Sequence, residues 1–317
     1  MSSPSPITTS GSPEASNPLN PSQGRAIPPL NRSFGRDIHI YDANDPNAVL
    51  GGLVLTAGVT NANFYSMIEI LFIFASPFYL RDEDKTKIEK DDHPLKPGKY
   101  YIVSDVPLQV NIEPWLIRTI SRASGTHVSA FREAVRLRDR RCVISGETVP
   151  ILAGIELWDG FEAAHIFPLA HEGHWINHSY GRWITIQPAK GGSINSVQNG
   201  LLLDSAVHQL FDAYAISINP DDKYKVVAFR PTSKNIAGKH LDQEHFARCD
   251  APIDSLLRWH FRQAVLANMR GSGEPVFEHD FPPGSDIAGD ILRGPKAAER
   301  MQFELFSRLG AQMKLFK

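Results

Sequence analysis

The sequence predicts an α+β protein, and two kinds of pattern lead to this class. Apolar and polar residues alternate with the period of a strand in segments such as DIHIYD and KYYIVS. Apolar runs with helical spacing begin after helix-start residues in NANFYSMIEILFIF and IDSLLRWHFRQAVLANMRG. Hydrophobic residues make up 42% of the chain and charged residues 21%, as in ordinary globular proteins, so we expect a buried core.

Four regions are expected along the 317 residues. Residues 1–35 are rich in Ser, Pro and Asn and are predicted to be a disordered tail, since they bury too little apolar surface to fold. Residues 36–113 are predicted to form a small α+β unit with one buried helix across the apolar run at 67–80. Residues 114–230 form the central unit, led by a basic helix. Residues 231–317 are expected to be mostly helical, to pack on the core and to end in a helix over KAAERMQFELFSRLGAQMKLF.

Charge and cysteine content limit the classes of function. The formal net charge is −2, so any binding of nucleic acid must depend on local basic residues. The chain has 2 cysteines, which makes a disulfide framework implausible and favours an intracellular location, nuclear or cytoplasmic. The longest apolar run is shorter than the roughly 20 residues that cross a bilayer, so we expect a soluble protein without a membrane span.

Arginines are concentrated in the predicted leading helix, HVSAFREAVRLRDRRC. Arg136, Arg138, Arg140 and Arg141 are candidates for contact with nucleic-acid phosphates. The alternative is a surface helix whose arginines pair with carboxylates elsewhere in the fold. Both interpretations remain open from the sequence.

Three polar residues stand in otherwise apolar segments of the central unit. His165 lies in a predicted strand ending at Pro168, Asn199 in the turn of SVQNGLLL, and His208 on the helix that this segment leads into, capped by Asp204 or Ser205. A predicted hairpin, AYAISINPDDKYKVVAFRP, follows and completes a β-β-α-β-β order. Residues on a strand, a turn and a helix can converge on one metal ion. Taken singly, each histidine is more typical of a core residue, and Asn-Gly is a turn signal.

The motifs AAHI, NGLLL and HQLFD resemble those of the HNH endonucleases, which are also called the His-Me finger or ββα-metal superfamily. They are most similar to the HNH-type domains of fungal hypothetical proteins. The resemblance implies a ββα-metal finger embedded between the N-terminal α+β unit and the C-terminal helices. It also implies a divalent-metal-dependent endonuclease that hydrolyses nucleic acid, with DNA as the expected substrate. His165 would be the general base, Asn199 would orient it, and His208 would bind the ion, Mg²⁺ first with Mn²⁺ or Zn²⁺ as alternatives.

Two positions depart from the wider family. Many members carry Asp before the base histidine, where this chain has Ala164. A carboxylate ligand is then expected from Asp212, four residues after His208 on the same helix face. Glu162 is the less favoured candidate, because it shares a strand face with Ala164 while His165 points the other way. The Cys-x-x-Cys pair of some members is interrupted by Ser145, so no structural zinc is predicted.

Alternatives remain for one loop and for the function. The cluster His171, Glu172, His174 and His178 is interpreted as part of an insertion over the active site, with zinc binding as the other reading. The first rival function is a catalytically inactive HNH-fold module that binds nucleic acid or protein. The second is a structural zinc scaffold, which would unfold on chelation.

Overall fold

The computed structural model describes residues 35–116, 126–189 and 191–271. The predicted tail at 1–35, apart from Gly35, and the predicted closing helix lie outside these residues. Within them, no helix is long and apolar enough to cross a membrane.

The strands are, in chain order, β1 (Ile38–Asp42), β2 (Val49–Leu53), β3 (Phe72–Ile73), β4 (Phe78–Arg81), β5 (Lys87–Ile88), β6 (Gly98–Ser104), β7 (Gln109–Val110), β8 (Ile151–Leu152), β9 (Ile155–Glu156), β10 (Phe161–His165), β11 (Gly200–Asp204), β12 (Ile216–Asn219) and β13 (Lys225–Ala228). The helices are α1 (Asn61–Leu71), α2 (Thr126–Asp139), α3 (Glu172–Asn177), α4 (Ser205–Asp212), α5 (Gln243–Phe246) and α6 (Asp254–Met269).

The N-terminal unit is a five-stranded sheet in the order β2-β1-β6-β4-β5, with α1 packed in its core. The strands predicted from DIHIYD and KYYIVS are present as β1 and β6, which pair in parallel. The helix predicted across residues 67–80 is wrong in its second half, because α1 ends at Leu71 and the chain continues as β3 and β4. Pro77 is incompatible with a helix interior, and β4 pairs with β6 instead.

The central unit is built on the antiparallel pair β10 and β11, followed directly by α4. Asp204 caps α4 through its side chain, as predicted. The segment GLLLD, interpreted as leading into the helix, is itself strand β11. All five of its residues are buried, so it lacks the alternation that marks a half-exposed strand. The strand predicted to run to Pro168 ends at His165.

Helix α6 joins two hydrophobic cores. Leu256 and Leu257 near its start pack in the core of the central unit, and Leu266 and Met269 near its end pack in the core of the N-terminal unit. The predicted hairpin is present as β12 and β13, and it also contributes to both cores. Helix α6 and the β12–β13 hairpin therefore connect the core beneath β10 and β11 with the core of the N-terminal unit.

Candidate functional site

His165 is the last residue of β10 and is held on two sides. Its Nε2 lies 3.2 Å from Oδ1 of the buried Asn195. Its ring stacks on the Phe131 ring of α2, with centroids 3.9 Å apart and planes 13° apart. A partly buried imidazole with a fixed ring orientation suits proton transfer, because the ring is already oriented before each reaction.

Gly200 makes the stacking on Phe131 sterically feasible. It pairs with His165 across the hairpin. A Cβ built on Gly200 would lie 2.6 Å from Cγ2 of Val135 and 2.8 Å from the Phe131 ring, so any other residue would push α2 away. The glycine is therefore required by close approach of the helix to the strand.

Asn199 is fully buried and bonds to backbone on both sides of the site. Its Oδ1 accepts from the Phe167 N–H at 2.8 Å, and its Nδ2 donates to the Phe167 carbonyl at 3.2 Å and to the Ile194 carbonyl at 2.8 Å. Phe167 lies two residues after His165, and Ile194 immediately precedes Asn195. The amide thus links the segment of the imidazole to the segment of its acceptor.

His208 lies between two carboxylates. Nδ1 contacts Oε2 of Glu162 on β10, and Nε2 lies 3.2 Å from Oδ2 of Asp212 one turn further along α4. Burial alone would lower the pKa of His208, but the two carboxylates outweigh it and raise the pKa above its ordinary value. Glu162, the less favoured carboxylate from the sequence, is therefore a direct neighbour of His208.

The donors on one side of His208 fit a divalent ion. In an octahedral site with bonds of about 2.1 Å, neighbouring donors lie roughly 3 Å apart, close to the separation of the His208 and Asp212 atoms. Glu162 contacts the other ring nitrogen, where a carboxylate fixes the tautomer of a ligating histidine. No group of three or more His, Cys, Asp or Glu side chains in the described ranges is placed to hold an ion. Among the described residues His208 and Asp212 therefore offer two neighbouring donor atoms, at a separation that an ordinary ion pair also has.

The two histidines have different neighbours in the fold. His165 faces α2 through Phe131, and Glu162 on the same strand faces α4 through His208. The two strand positions are three residues apart, about 10 Å along the strand. The expected convergence of His165, Asn199 and His208 on one ion stays a prediction; in the structure Asn199 bonds to backbone, and His165 contacts the Asn195 amide.

Comparison with known families agrees with this geometry, since residues 142–219 match the family model described as HNH endonuclease. Residues 142–219 are an HNH endonuclease-type domain. The match contains His165, Asn199 and His208 and confirms the resemblance to the HNH endonucleases, while the similarity to fungal domains stays a prediction. Residues 35–109 match a second family, described as a domain of unknown function (DUF8573). Searches of curated proteins and of solved structures found no significant match.

Arg138, at the end of the helix that leads into the HNH domain, has an internal role. Its side chain is 1% exposed and bonds to Asp139 through Nε and Nη2, at 2.5 and 2.9 Å. It also donates to the carbonyls of Val197 and Gly200, both at 2.7 Å, on either side of Asn199. The predicted phosphate contact of Arg138 does not fit this burial, because its donors are engaged inside the fold.

The other three arginines reach the surface to different degrees. Arg140 is 65% exposed and lies 3.7 Å from Glu156. Arg141 is 48% exposed and pairs with Asp242 at 3.0 Å. Arg136 lies over the Trp158 ring at 4.6 Å, and its burial lowers its pKa. Exposed ion pairs of this kind are weak and exchange readily. Contact of Arg140 and Arg141 with phosphates stays a prediction.

The histidine-rich insertion packs beside the segment that follows His165. His174 and His178 stack with centroids 3.8 Å apart, and Phe167 packs against Trp175 and Tyr180. Burial, reinforced by the neighbouring histidines, lowers the pKa of His174 to about 4. The rings pack on one another, and both the position of this segment over the active site and zinc binding by it stay predictions.

Two contact residues of the HNH domain were not singled out from the sequence. Phe131 lies in the predicted leading helix with no feature that marks this contact, and Asn195 carries no motif. In the sequence Asn195 is an asparagine between Ile194 and Ser196 in a glycine- and serine-rich loop, and its burial is seen only in the structure. Neither partner is visible until the fold brings α2 and the loop to the end of β10.

Proposed function

We propose that this chain is a divalent-metal-dependent endonuclease that hydrolyses phosphodiester bonds, with DNA as the first substrate to test. One observation carries the proposal: in an HNH-type domain, a fixed imidazole ends β10, while a second imidazole flanked by carboxylates lies on α4. Hydrolysis of a phosphodiester needs a base for water and positive charge near the phosphate. His165 would supply the base, and His208 would help to hold the ion that supplies the positive charge.

His165 is proposed as the general base that takes a proton from the attacking water. Neutral imidazole is suited to this task near neutral pH. Phe131 limits rotation of the ring, and Asn195 holds one ring nitrogen. Asn199 acts through the backbone on both segments and is proposed as a positioning residue.

His208 and Asp212 are proposed to hold the divalent ion, with Mg²⁺ tested first and Mn²⁺ and Zn²⁺ as alternatives. Glu162 would orient the His208 ring through Nδ1. A bound ion would offset the charge that builds on the phosphate. The raised pKa of His208 means that a proton must leave before the imidazole can act as a ligand.

Arg140 and Arg141, with Arg136 beside them, are proposed to contact phosphates. Each such contact releases counterions, so affinity should fall steeply as salt rises. A protein of net charge −2 depends on a local basic surface of this kind for nucleic-acid binding.

The test is cleavage of supercoiled plasmid by the full chain with Mg²⁺, Mn²⁺, Zn²⁺ or EDTA. Asp212→Asn is the test variant, and Asp92→Asn, at an exposed position of the N-terminal unit, is the matched control. We expect metal-dependent nicking that EDTA abolishes and that Asp212→Asn reduces at least tenfold, since loss of a ligand weakens the ion. Cleavage that is equal in EDTA would contradict the metal requirement.

A catalytically inactive HNH module is the second candidate, and Ala164 is the observation that favours it. Ala164 occupies the position where many HNH nucleases carry an aspartate ligand, and it is buried. Salt-sensitive DNA binding by the folded protein, without cleavage in any of the three metals, would select this alternative.

A further inference from the structure

Asn195 provides a polar contact to the His165 ring. Its Oδ1 lies 3.2 Å from Nε2, and the side chain is buried in a one-turn 3₁₀ segment, Ser193–Asn195. An amide in this place neither titrates nor brings a charge to the imidazole. It can therefore direct a proton to one ring nitrogen without changing the charge of the site.

The position of Asn195 is fixed from several directions. Its own N–H donates to the Gly192 carbonyl at 2.9 Å. The preceding carbonyl of Ile194 accepts from Asn199 Nδ2 at 2.8 Å, and Ser193 Oγ accepts from Trp175 Nε1 at 3.0 Å. These bonds tie the 3₁₀ turn to the histidine-rich insertion and to the turn before β11. The acceptor is thus preorganised rather than a mobile loop side chain.

We propose that Asn195 is a positioning residue that accepts a hydrogen bond from Nε2–H of His165 and so selects one tautomer of the base. In that tautomer the basic lone pair is on Nδ1, which becomes the nitrogen that accepts the proton of water. This inference rests on the proposed nuclease function. It adds a residue that lies outside the His, Asn, His set by which the domain was recognised.

The first readout is the tautomer itself, from ¹⁵N chemical shifts of the His165 ring in the full chain at neutral pH. Wild type is expected to carry the proton on Nε2. In Asn195→Leu, which has similar volume but no acceptor, the shifts should move toward a mixture of tautomers. Asn177→Leu, at an exposed position of α3, is the control and should leave the shifts unchanged.

The second readout is steady-state cleavage. Asn195→Leu should lower kcat about 10- to 100-fold with little change in KM, because a misoriented catalytic group costs rate rather than binding. Asn195→Asp keeps the shape and an acceptor, so it serves if the leucine variant does not fold. It should lose activity at neutral pH and regain it at alkaline pH, because a carboxylate stabilises the imidazolium.

The outcomes separate the two proposals. Active wild type with unchanged ring shifts and kcat in Asn195→Leu would overturn the role of Asn195 alone. An Asn195→Asp variant with the pH profile of wild type would do the same. A folded wild type that cleaves nothing with any metal would overturn the nuclease function, and the positioning role with it.

Discussion

At the level of single residues, Arg138 and Arg140 lie two positions apart and have opposite surroundings. Arg138 is 1% exposed against the buried Asp139, whereas Arg140 is 65% exposed. Arg138→Ala should lower the free energy of unfolding by about 3–5 kcal/mol, because it leaves the Asp139 carboxylate buried without its main partner. Arg140→Ala should change it by no more than about 0.5 kcal/mol. Urea denaturation of both variants measures the difference.

DNA binding should depend on Arg140 rather than on Arg138, the reverse of their effects on stability. Arg140→Ala should weaken affinity and make the slope of log affinity against log salt shallower by about 1, as expected for loss of one phosphate contact. Arg138→Met, which removes the charge, should leave that slope unchanged when it is measured on folded protein. Fluorescence anisotropy over a salt series measures both slopes. A changed slope in the Arg138 variant would mean that Arg138 contacts a DNA phosphate after all.

Asp204 links pH to the stability of α4. Burial opposes its ionisation, but bonds from the Val207 N–H and Ser145 Oγ, with the Lys234 ammonium nearby, outweigh burial and lower its pKa. A carboxyl with a lowered pKa stabilises the fold fully above its unfolded pKa of about 4 and loses this effect as pH falls further. Asp204→Ala should therefore cost about 1–2 kcal/mol at neutral pH.

The difference between wild type and Asp204→Ala should shrink below about pH 4. Urea denaturation midpoints across a pH series give this difference directly. A difference that stays constant into strong acid would mean that the carboxylate is not the stabilising group.

At the level of elements, the contact between α2 and the β10–β11 hairpin depends on Gly200. Gly200→Ala should displace α2, cost about 1–3 kcal/mol as in other overpacked interiors, and separate Phe131 from His165. Activity should fall more than stability alone explains, because the ring loses its support. Gly192→Ala is the control, since its Cβ would meet only the end of the Glu172 side chain at 3.1 Å.

The outcome is measured by the unfolding free energy and by cleavage under conditions where both variants are fully folded. Equal activity of Gly200→Ala and wild type would show that the stacking of Phe131 on His165 has no part in the site.

Some elements could be predicted from the sequence and others could not, for identifiable reasons. Strands β1 and β6 show clear alternation and α2 has helical spacing, so local pattern was sufficient. Strand β11 is buried along its whole length, and a short buried strand has no periodicity to distinguish it from a helix. Helix α1 ends where the chain enters β3, and β3 pairs with β7, a segment distant in the sequence.

Some features of the candidate site could also be predicted from the sequence, and others could not. The family of the central segment was predictable because the motifs around His165, Asn199 and His208 carry its pattern, whereas the roles of these residues stay predictions. The contacts of Asn195 with His165 and of Glu162 with His208 were not, since they arise only when distant segments are brought together by the fold. Burial of Arg138 was equally hidden, because its helix reads as basic and exposed.

At the level of the whole molecule, α6 couples the two cores. Leu266 is fully buried in the N-terminal core, while Leu257 on the same helix packs in the core of the HNH domain. Leu266→Ala should cost about 2–5 kcal/mol and should lower the stability of both units together. Urea transitions followed by far-UV circular dichroism and by tryptophan fluorescence should coincide, as in a single cooperative transition.

Tryptophan fluorescence reports mainly on the HNH domain, which contains Trp158, Trp175 and Trp183, with Trp259 packed in its core. Two separated transitions, with only the circular dichroism signal shifted by Leu266→Ala, would contradict this coupling.

The most direct test of the account is single-turnover cleavage of supercoiled plasmid in the most active metal by wild type, His165→Ala and His93→Ala. His93 is exposed in the N-terminal unit and serves as the matched control. A general base contributes about 10²- to 10⁴-fold, so His165→Ala should lose that factor while His93→Ala cleaves as wild type does. Equal rates for all three folded proteins would contradict the assignment of His165 as the base and with it the proposed mechanism.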